Sequence, residues 1–390
     1  MNVDSKLSEI VKTIPPSAIR KFFDLANEMK GEVISLSIGE PDFVTPWSIC
    51  ESGIYSLEQG KTHYSPNTGY MELREEIASY MKRKFHLSYQ PADEILVTVG
   101  GSEAIDNAVR ALINPGEEVL IPEPCFVSYK SCVLLAGGIP VIIPCTPDNG
   151  FKLTPEALKN AITPKTKLLI MGYPNNPTGA VMSKEDLMPI AEVLKATEII
   201  VVSDELYAEL TYPPAKHFSI ARFEEMQERT IVINGLSKAF AMTGWRIGFA
   251  TGPKDIIAAM NRIHQYVIMS SPTIGQYAAI EALRNGDEFV TDMRKEYNQR
   301  RRVVLDALAR CGLDCFEPLG AFYAFPSIRS TGLSSSEFCE RFLLEEKVAI
   351  VPGSAFGDSG EGFVRISYAA AIDNIGKAMR KLDAFVSRRK

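Results

Sequence analysis

The stretch Ile231-Val-Ile-Asn-Gly-Leu-Ser-Lys-Ala-Phe-Ala-Met-Thr-Gly-Trp-Arg-Ile-Gly248 places Lys238 just past an apolar run, with Gly235 and Ser237 before it and Arg246 eight residues on. A lysine there is poorly placed for packing. It is well placed to attack a carbonyl once desolvation or a neighbouring charge lowers its pKa. Asp204 follows the apolar run Ile199–Ser203. A carboxylate at such a point is costly unless it caps a helix, meets a cation or faces a protonated ring nitrogen. Tyr207, three residues further, is within range of a hydroxyl on the same ring.

Other apolar runs are also followed by candidate ligand groups. After Ile95–Val99 come Gly100, Gly101 and Ser102, just before a helical stretch. Such a turn offers bare N–H groups and a positive helix end to a phosphate, although the same residues also make an ordinary capped turn. The spacing is neither G-x-G-x-x-G nor a Walker loop, which argues against dinucleotides and nucleoside triphosphates. After Glu118–Ile121 comes Phe126, able to stack on a flat ring or to pack in a core. After Lys167–Met171, the loop Gly172-Tyr-Pro-Asn-Asn-Pro-Thr-Gly179 carries Asn176, whose amide can donate to a phenolate oxygen or simply shape a turn. A nucleophilic lysine, a ring-nitrogen partner, a stacking ring and a phosphate cradle together fit pyridoxal phosphate.

Strands must bring these groups together. The runs Ile95–Val99, Glu118–Ile121, Pro140–Ile143, Lys167–Met171, Ile199–Ser203, Thr230–Ile233 and Ile247–Ala250 alternate with helical stretches such as Glu103–Leu112, Lys184–Leu194 and Lys254–Gln265. Continuous apolar strands separated by helices predict an α/β fold, with a mostly parallel seven-stranded sheet covered by helices and ligands at the strand ends. Ser17–Lys30 reads as an amphipathic helix, Val33–Ile38 as a short strand and Gly39–Asp42 as a turn. Helical text over Glu288–Arg310 gives way to strand-like Gly320–Pro326, Val348–Val351 and Gly362–Tyr368. A large domain over 46–284 and a smaller α+β domain from 1–45 and 285–390 are expected.

Composition bounds the function. The 390 residues are 46% hydrophobic and 23% charged with a net charge of −6, which gives no reason to expect nucleic acid. The Arg300-Arg301-Arg302 triplet reads as a helix face. The polar start, Met1 to Glu9, and the lack of a long apolar run argue against a signal peptide or membrane span, so a cytoplasmic protein is expected. Seven cysteines without a C-x-x-C pair and four scattered histidines predict reduced thiols and no local metal motif.

Pro174-Asn-Asn-Pro-Thr-Gly179, Ser203-Asp-Glu-Leu-Tyr207 and Gly235-Leu-Ser-Lys-Ala-Phe-Ala-Met-Thr-Gly-Trp-Arg-Ile-Gly248 resemble the signature blocks of class I aminotransferases, pyridoxal-phosphate enzymes of fold type I. Ser37-Ile-Gly-Glu-Pro-Asp-Phe43, Tyr64-Ser-Pro-Asn-Thr-Gly69 and Phe363-Val-Arg-Ile-Ser-Tyr368 extend the resemblance over nearly the whole chain. It implies that Lys238 forms the Schiff base and carries the proton between substrate Cα and cofactor C4′. Asp204 would hold the ring nitrogen, Asn176 and Tyr207 the ring oxygen, and Phe126 would stack on the ring. Gly100, Gly101, Ser102, Ser237 and Arg246 would hold the phosphate. Gly235 stands where many relatives place a further serine. Tyr64 would reach the phosphate of a neighbouring subunit, implying a homodimer with shared active sites. Arg365 would clamp the substrate α-carboxylate, and Gly39 would let the N-terminal segment approach the substrate.

Substrates would be amino acids and 2-oxo acids. Dicarboxylate-specific relatives often use an arginine from the stretch corresponding to His264–Pro272, where this chain has Tyr266, with Arg262 as another cation nearby. That favours an aromatic or large neutral donor, with 2-oxoglutarate as acceptor; Tyr323 and Phe356 would line the pocket or the core. Aspartate transamination and carbon–sulfur lyase chemistry on the same cofactor are the alternatives. A regulator's sensor module would need a DNA-binding domain, for which the residues before Ile34 leave little room, and no strand carries a dehydrogenase glycine fingerprint.

Overall fold

Glycine, proline and asparagine punctuate the apolar runs, and the β-branched and aliphatic residues between them form strands. The computed structural model describes residues 3–14, 16 and 33–389. The expected Ser17–Lys30 helix lies outside them. The first strand is β1 (Ile34–Ser35), followed by β2 (Ile95–Thr98), β3 (Glu118–Glu123), β4 (Ile139–Pro144), β5 (Thr166–Gly172), β6 (Ile200–Asp204), β7 (Thr230–Gly235) and β8 (Gly248–Thr251). Seven of them form one sheet in the order β2-β8-β7-β6-β5-β3-β4. Every neighbouring pair is parallel except those made by β8, which runs against β2 and β7.

That reversal positions a site residue. Gly248, the first residue of β8, pairs with Thr98 at the end of β2 and with Gly235 at the end of β7. Arg246, which leads into β8, therefore arrives at the same sheet edge as the turns that leave β2 and β7. Apolar side chains cover both faces of the sheet, as its continuous hydrophobic strands require. Ala104, Ile105, Ala108, Ile257 and Met260 from helices Gly101–Leu112 and Lys254–Val267 pack on one face. Leu187, Ile190 and Leu194 of helix Lys184–Lys195 pack on the other.

The remaining strands are β9 (Tyr323–Ala324), β10 (Val348–Ala349), β11 (Val351–Pro352) and β12 (Val364–Ser367). β1 pairs with β10 in parallel, while β11, β12 and β9 form an antiparallel sheet. The expected strand Val348–Val351 is thus split between two sheets at Ile350, and Gly320–Pro326 and Val33–Ile38 each contribute only two strand residues. Proline at positions 326 and 352 supplies no N–H for a longer ladder. Beyond Ser35 the chain stays tethered: Leu36 N–H donates to Ala349 O at 2.8 Å and its carbonyl accepts Ser367 N–H at 2.9 Å. Ser37 to Gly39 are carried in this way toward the edge of the large sheet.

Helix Asp287–Arg310 contains the arginine triplet, but two of its members turn inward. Arg300 binds Asp42 at 2.8 Å and Arg301 binds Glu317 at 2.9 Å. One apolar cluster joins this helix and Leu36, Phe322, Tyr323 and Ile366 to Tyr207 and Ala241 from the large sheet's loops.

Candidate active site

The groups that leave β2, β3, β5, β6 and β7 meet in a cavity of about 360 Å³ at the sheet edge. Its lining includes the expected Gly39, Gly101, Ser102, Phe126, Asn176, Asp204, Tyr207, Ser237, Lys238, Arg246 and Arg365, together with Tyr323. Gly100 does not line it. Its φ of 78° suits glycine, and a Cβ there would stand 2.7 Å from Arg246 Nη2, so it brings the turn against Arg246.

Lys238 sits in the single turn Leu236–Ala239 directly after β7. Its Nζ donates to Gly39 O at 2.5 Å and lies 5.9 Å from the ring centroids of Tyr207 and Phe322. Desolvation lowers its pKa to about 8; the Arg365 and Arg246 charges act in the same direction, and Glu40 and Asp204 oppose them. This is the amine that nucleophilic chemistry near neutral pH requires.

Asp204 is the last residue of β6, one position later than the sequence suggested, and pairs across the sheet with Gly172. It is 8% exposed. Oδ2 accepts Tyr129 Oη–H at 2.6 Å, and Oδ1 accepts Leu206 N–H at 3.2 Å. Burial pushes its pKa up, while these two hydrogen bonds hold it down. Tyr129 is a site residue that sequence reasoning passed over. The signal was its place at the start of the helix Ser128–Leu135 that follows β3, but only the fold shows it reaching two strands across. A Cβ on Gly172 would stand 2.4 Å from the Tyr129 hydroxyl, so glycine leaves the space the phenol occupies.

Arg365, on β12, is 2% exposed. Its Nη1 donates to Asn176 Oδ1 at 3.0 Å and its Nη2 to Ser37 O at 2.6 Å, while Nε is buried without a partner. Tyr323 and Phe356 sandwich the guanidinium at 4.4 and 4.9 Å. Phe356 thus packs behind the arginine and does not line the cavity. Among the described residues, no carboxylate lies within 4.0 Å of Arg365, Arg246 or Lys238 in an ion pair. A buried cation facing a cavity with no counter-ion is strained until an anion enters.

The remaining groups complete the lining. Asn176 uses Oδ1 for Arg365, which leaves its Nδ2 as a donor. The Tyr207 and Tyr323 hydroxyls are 2.8 Å apart. Arg246 donates to Thr243 O at 3.0 Å and Val99 O at 3.3 Å. Phe126 meets Tyr129 edge-on at 5.8 Å. Ile38, Glu40, Leu206 and Thr243 also line the cavity; they lie inside the blocks that resemble aminotransferases, but the resemblance assigned them no role. Tyr64 and Tyr266 are outside it, 81% and 86% exposed, and Arg262 is exposed on its helix.

These residues fit pyridoxal phosphate: a buried guanidinium whose Nε has no partner, a buried carboxylate at a strand end, a lysine of lowered pKa and a helix N-terminus beside an arginine all face one space. Helices on a mostly parallel sheet, with a lysine at the strand ends, define the class of fold type I enzymes. Residues 31–382 match the model of the family "Aminotransferase class I and II", and the chain belongs to that family. It is 48% identical to an aspartate aminotransferase of Pyrococcus abyssi over 98% of this chain and 99% of that one. It is 46% identical to aromatic-amino-acid aminotransferase 2 of Thermococcus litoralis with the same coverage. The solved aromatic aminotransferase from Pyrococcus horikoshii superposes with a TM-score of 0.90 at 46% identity, covering 94% of this chain and 99% of its own. The protein is an aminotransferase, and its family is generally pyridoxal-phosphate dependent.

Proposed function

We propose that the chain uses pyridoxal phosphate to move the amino group of an aromatic or other large neutral L-amino acid to a 2-oxo acid such as 2-oxoglutarate. When bound, the cofactor supplies a carbonyl carbon for amine attachment and a ring that accepts electrons. Lys238 would hold it through its amine and would move the proton at substrate Cα. Asp204, oriented by Tyr129, holds the proton on the ring nitrogen. Asn176 Nδ2 and the Tyr207 hydroxyl donate toward the ring oxygen, and Phe126 stacks on the ring. Gly101, Ser102, Ser237 and Arg246 would hold the phosphate, and Gly100 shapes the turn against Arg246. Arg365 binds the substrate α-carboxylate with its planar fork, and Gly39 brings the N-terminal segment over the substrate.

One observation carries the substrate preference. The cations lining the cavity are Lys238, Arg246 and Arg365, and each already has a task. Among the described residues no fourth cation lines the cavity to meet a second carboxylate, whereas Ile38, Phe126, Tyr129, Leu206 and Tyr323 offer apolar and aromatic walls. The comparison of kcat/KM for phenylalanine, tyrosine and aspartate with 2-oxoglutarate tests it; a large advantage for aspartate rejects it. The Pyrococcus abyssi relative supports that second reading. Ammonia and pyruvate released from cystathionine would instead indicate lyase activity.

The same proposal includes a homodimer with shared sites. Trp47, Tyr64, Tyr266 and Val267 are each 64% exposed or more, large apolar side chains better covered than left in water. Sedimentation of the purified protein as a monomer would contradict it. Residues 46–284 would form the cofactor-binding body, and 1–45 with 285–390 the smaller one that closes over substrate and excludes water. Among the described residues no helix is long and apolar enough to cross a membrane, which supports a cytoplasmic enzyme.

A further inference from the structure

Glu103 and His264 form a buried pair that no step of the proposed chemistry uses. Glu103 lies in the first turn of helix Gly101–Leu112 and its carboxylate reaches back across the turn. Oε2 accepts Val99 N–H at 2.5 Å; Oε1 accepts from His264 Nδ1 at 2.5 Å and from Asn107 Nδ2 at 3.0 Å. Three donors therefore hold one carboxylate at the root of the Gly100-Gly101-Ser102 turn.

His264 is fully buried and its Nε2 has no partner. An imidazole that merely filled space would be replaced at lower cost by an apolar side chain, because a bare buried nitrogen loses its solvation. Its place in the chain suggests a task. The His264 carbonyl accepts Ile268 and Met269 N–H, both at 2.9 Å, closing the helix that carries Tyr266. The segment beyond is fastened by Asn67 Nδ2 to Met269 O at 2.7 Å and by Ser271 Oγ to Val97 O at 3.2 Å.

We propose that Glu103 and His264 are positioning residues for the anion-binding turn: the carboxylate fixes the backbone at Val99, and the imidazole fixes the carboxylate. The same pair ties that turn to the segment bearing Tyr266. The proposal rests on the reading that this turn holds the cofactor's phosphate. A packing role would affect every ligand of the cavity alike. A role in setting the turn affects only ligands that carry a phosphate.

The test titrates cofactor-free protein with pyridoxal phosphate and with pyridoxal, followed by tryptophan fluorescence and visible absorbance. In His264→Leu and Glu103→Gln, pyridoxal phosphate should bind on the order of tenfold more weakly while pyridoxal changes by less than about twofold, the loss expected for one buried charged hydrogen bond. His264→Asn, whose Nδ2 can stand at the Nδ1 position, should restore most of the affinity. Equal losses for both ligands, or no loss, would overturn the proposal. Should His264→Leu fail to fold, Glu103→Gln decides in the same way. A wild-type protein that does not prefer pyridoxal phosphate to pyridoxal would instead remove the phosphate reading, and this inference with it.

Discussion

The Tyr129 hydroxyl stands 2.6 Å from Asp204 Oδ2, donated from the first turn of helix Ser128–Leu135 to the end of β6 across the bare Cα of Gly172. The bond makes a buried carboxylate tolerable and sets the direction in which its other lone pairs face. It also gives a measurable handle on Asp204, the proposed ring-nitrogen partner.

Tyr129→Phe removes that donor and should raise the Asp204 pKa further, because burial is then opposed only by the Leu206 N–H and the Lys238 charge. The cofactor dissociation constant should rise about tenfold, as for one lost hydrogen bond to a charged group. Equilibrium titration with pyridoxal phosphate checks this. Gly172→Ala should have a comparable effect by displacing the phenol.

Lys238→Ala should abolish turnover, by at least about 10³-fold, since among the described residues no other lysine lines the cavity to carry the proton. Single-turnover kinetics followed by visible absorbance provide the measurement. Wild-type rates in this variant would remove Lys238 from the mechanism.

The depressed Lys238 amine should leave a mark on stability. Its pKa falls from 10.5 to about 8 in the folded protein. Between these values the unfolded chain binds the extra proton, so stability of the cofactor-free protein should rise with pH through this window. The penalty is fully present below pH 8 and amounts to about 3 kcal/mol at most. Urea unfolding of the wild type against Lys238→Met, from pH 7 to 10, isolates this contribution; identical pH profiles would refute it.

Arg365→Lys keeps a charge but loses the fork held between Asn176 and Ser37. The kcat/KM for the amino donor should drop on the order of 10²-fold, as expected when a two-pronged carboxylate contact is reduced to one. Cofactor affinity should change little. A fall in cofactor affinity equal to that in kcat/KM would assign the arginine to the cofactor.

Much of the sheet was legible because its strands are buried on both faces and read as continuous apolar runs, which need no long-range knowledge to recognise. The antiparallel direction of β8 was not legible, since a strand's sequence does not record which way its neighbours run. The shorter strands prove briefer than their sequence suggests for a similar reason: Val348–Val351 is one β-rich run, but its halves pair with β1 and β12, which belong to different sheets. Asp204 and Lys238 stood out because a charge beside an apolar strand needs a reason. Tyr129 and Glu103 did not, because a tyrosine and a glutamate near a helix start are ordinary until their partners are known.

By itself the sequence determined the alternation of strands and helices, the lysine and aspartate at strand ends, and a pattern of blocks characteristic of aminotransferases. Local composition and spacing suffice for these, because burial and turn preferences act over a few neighbouring residues. Only the tertiary structure decided that Arg365 is buried without a counter-ion, that Tyr129 meets Asp204 and that His264 steadies Glu103. Each of these contacts joins residues 75 or more positions apart, and their energies depend on which polar atoms folding leaves unpaired.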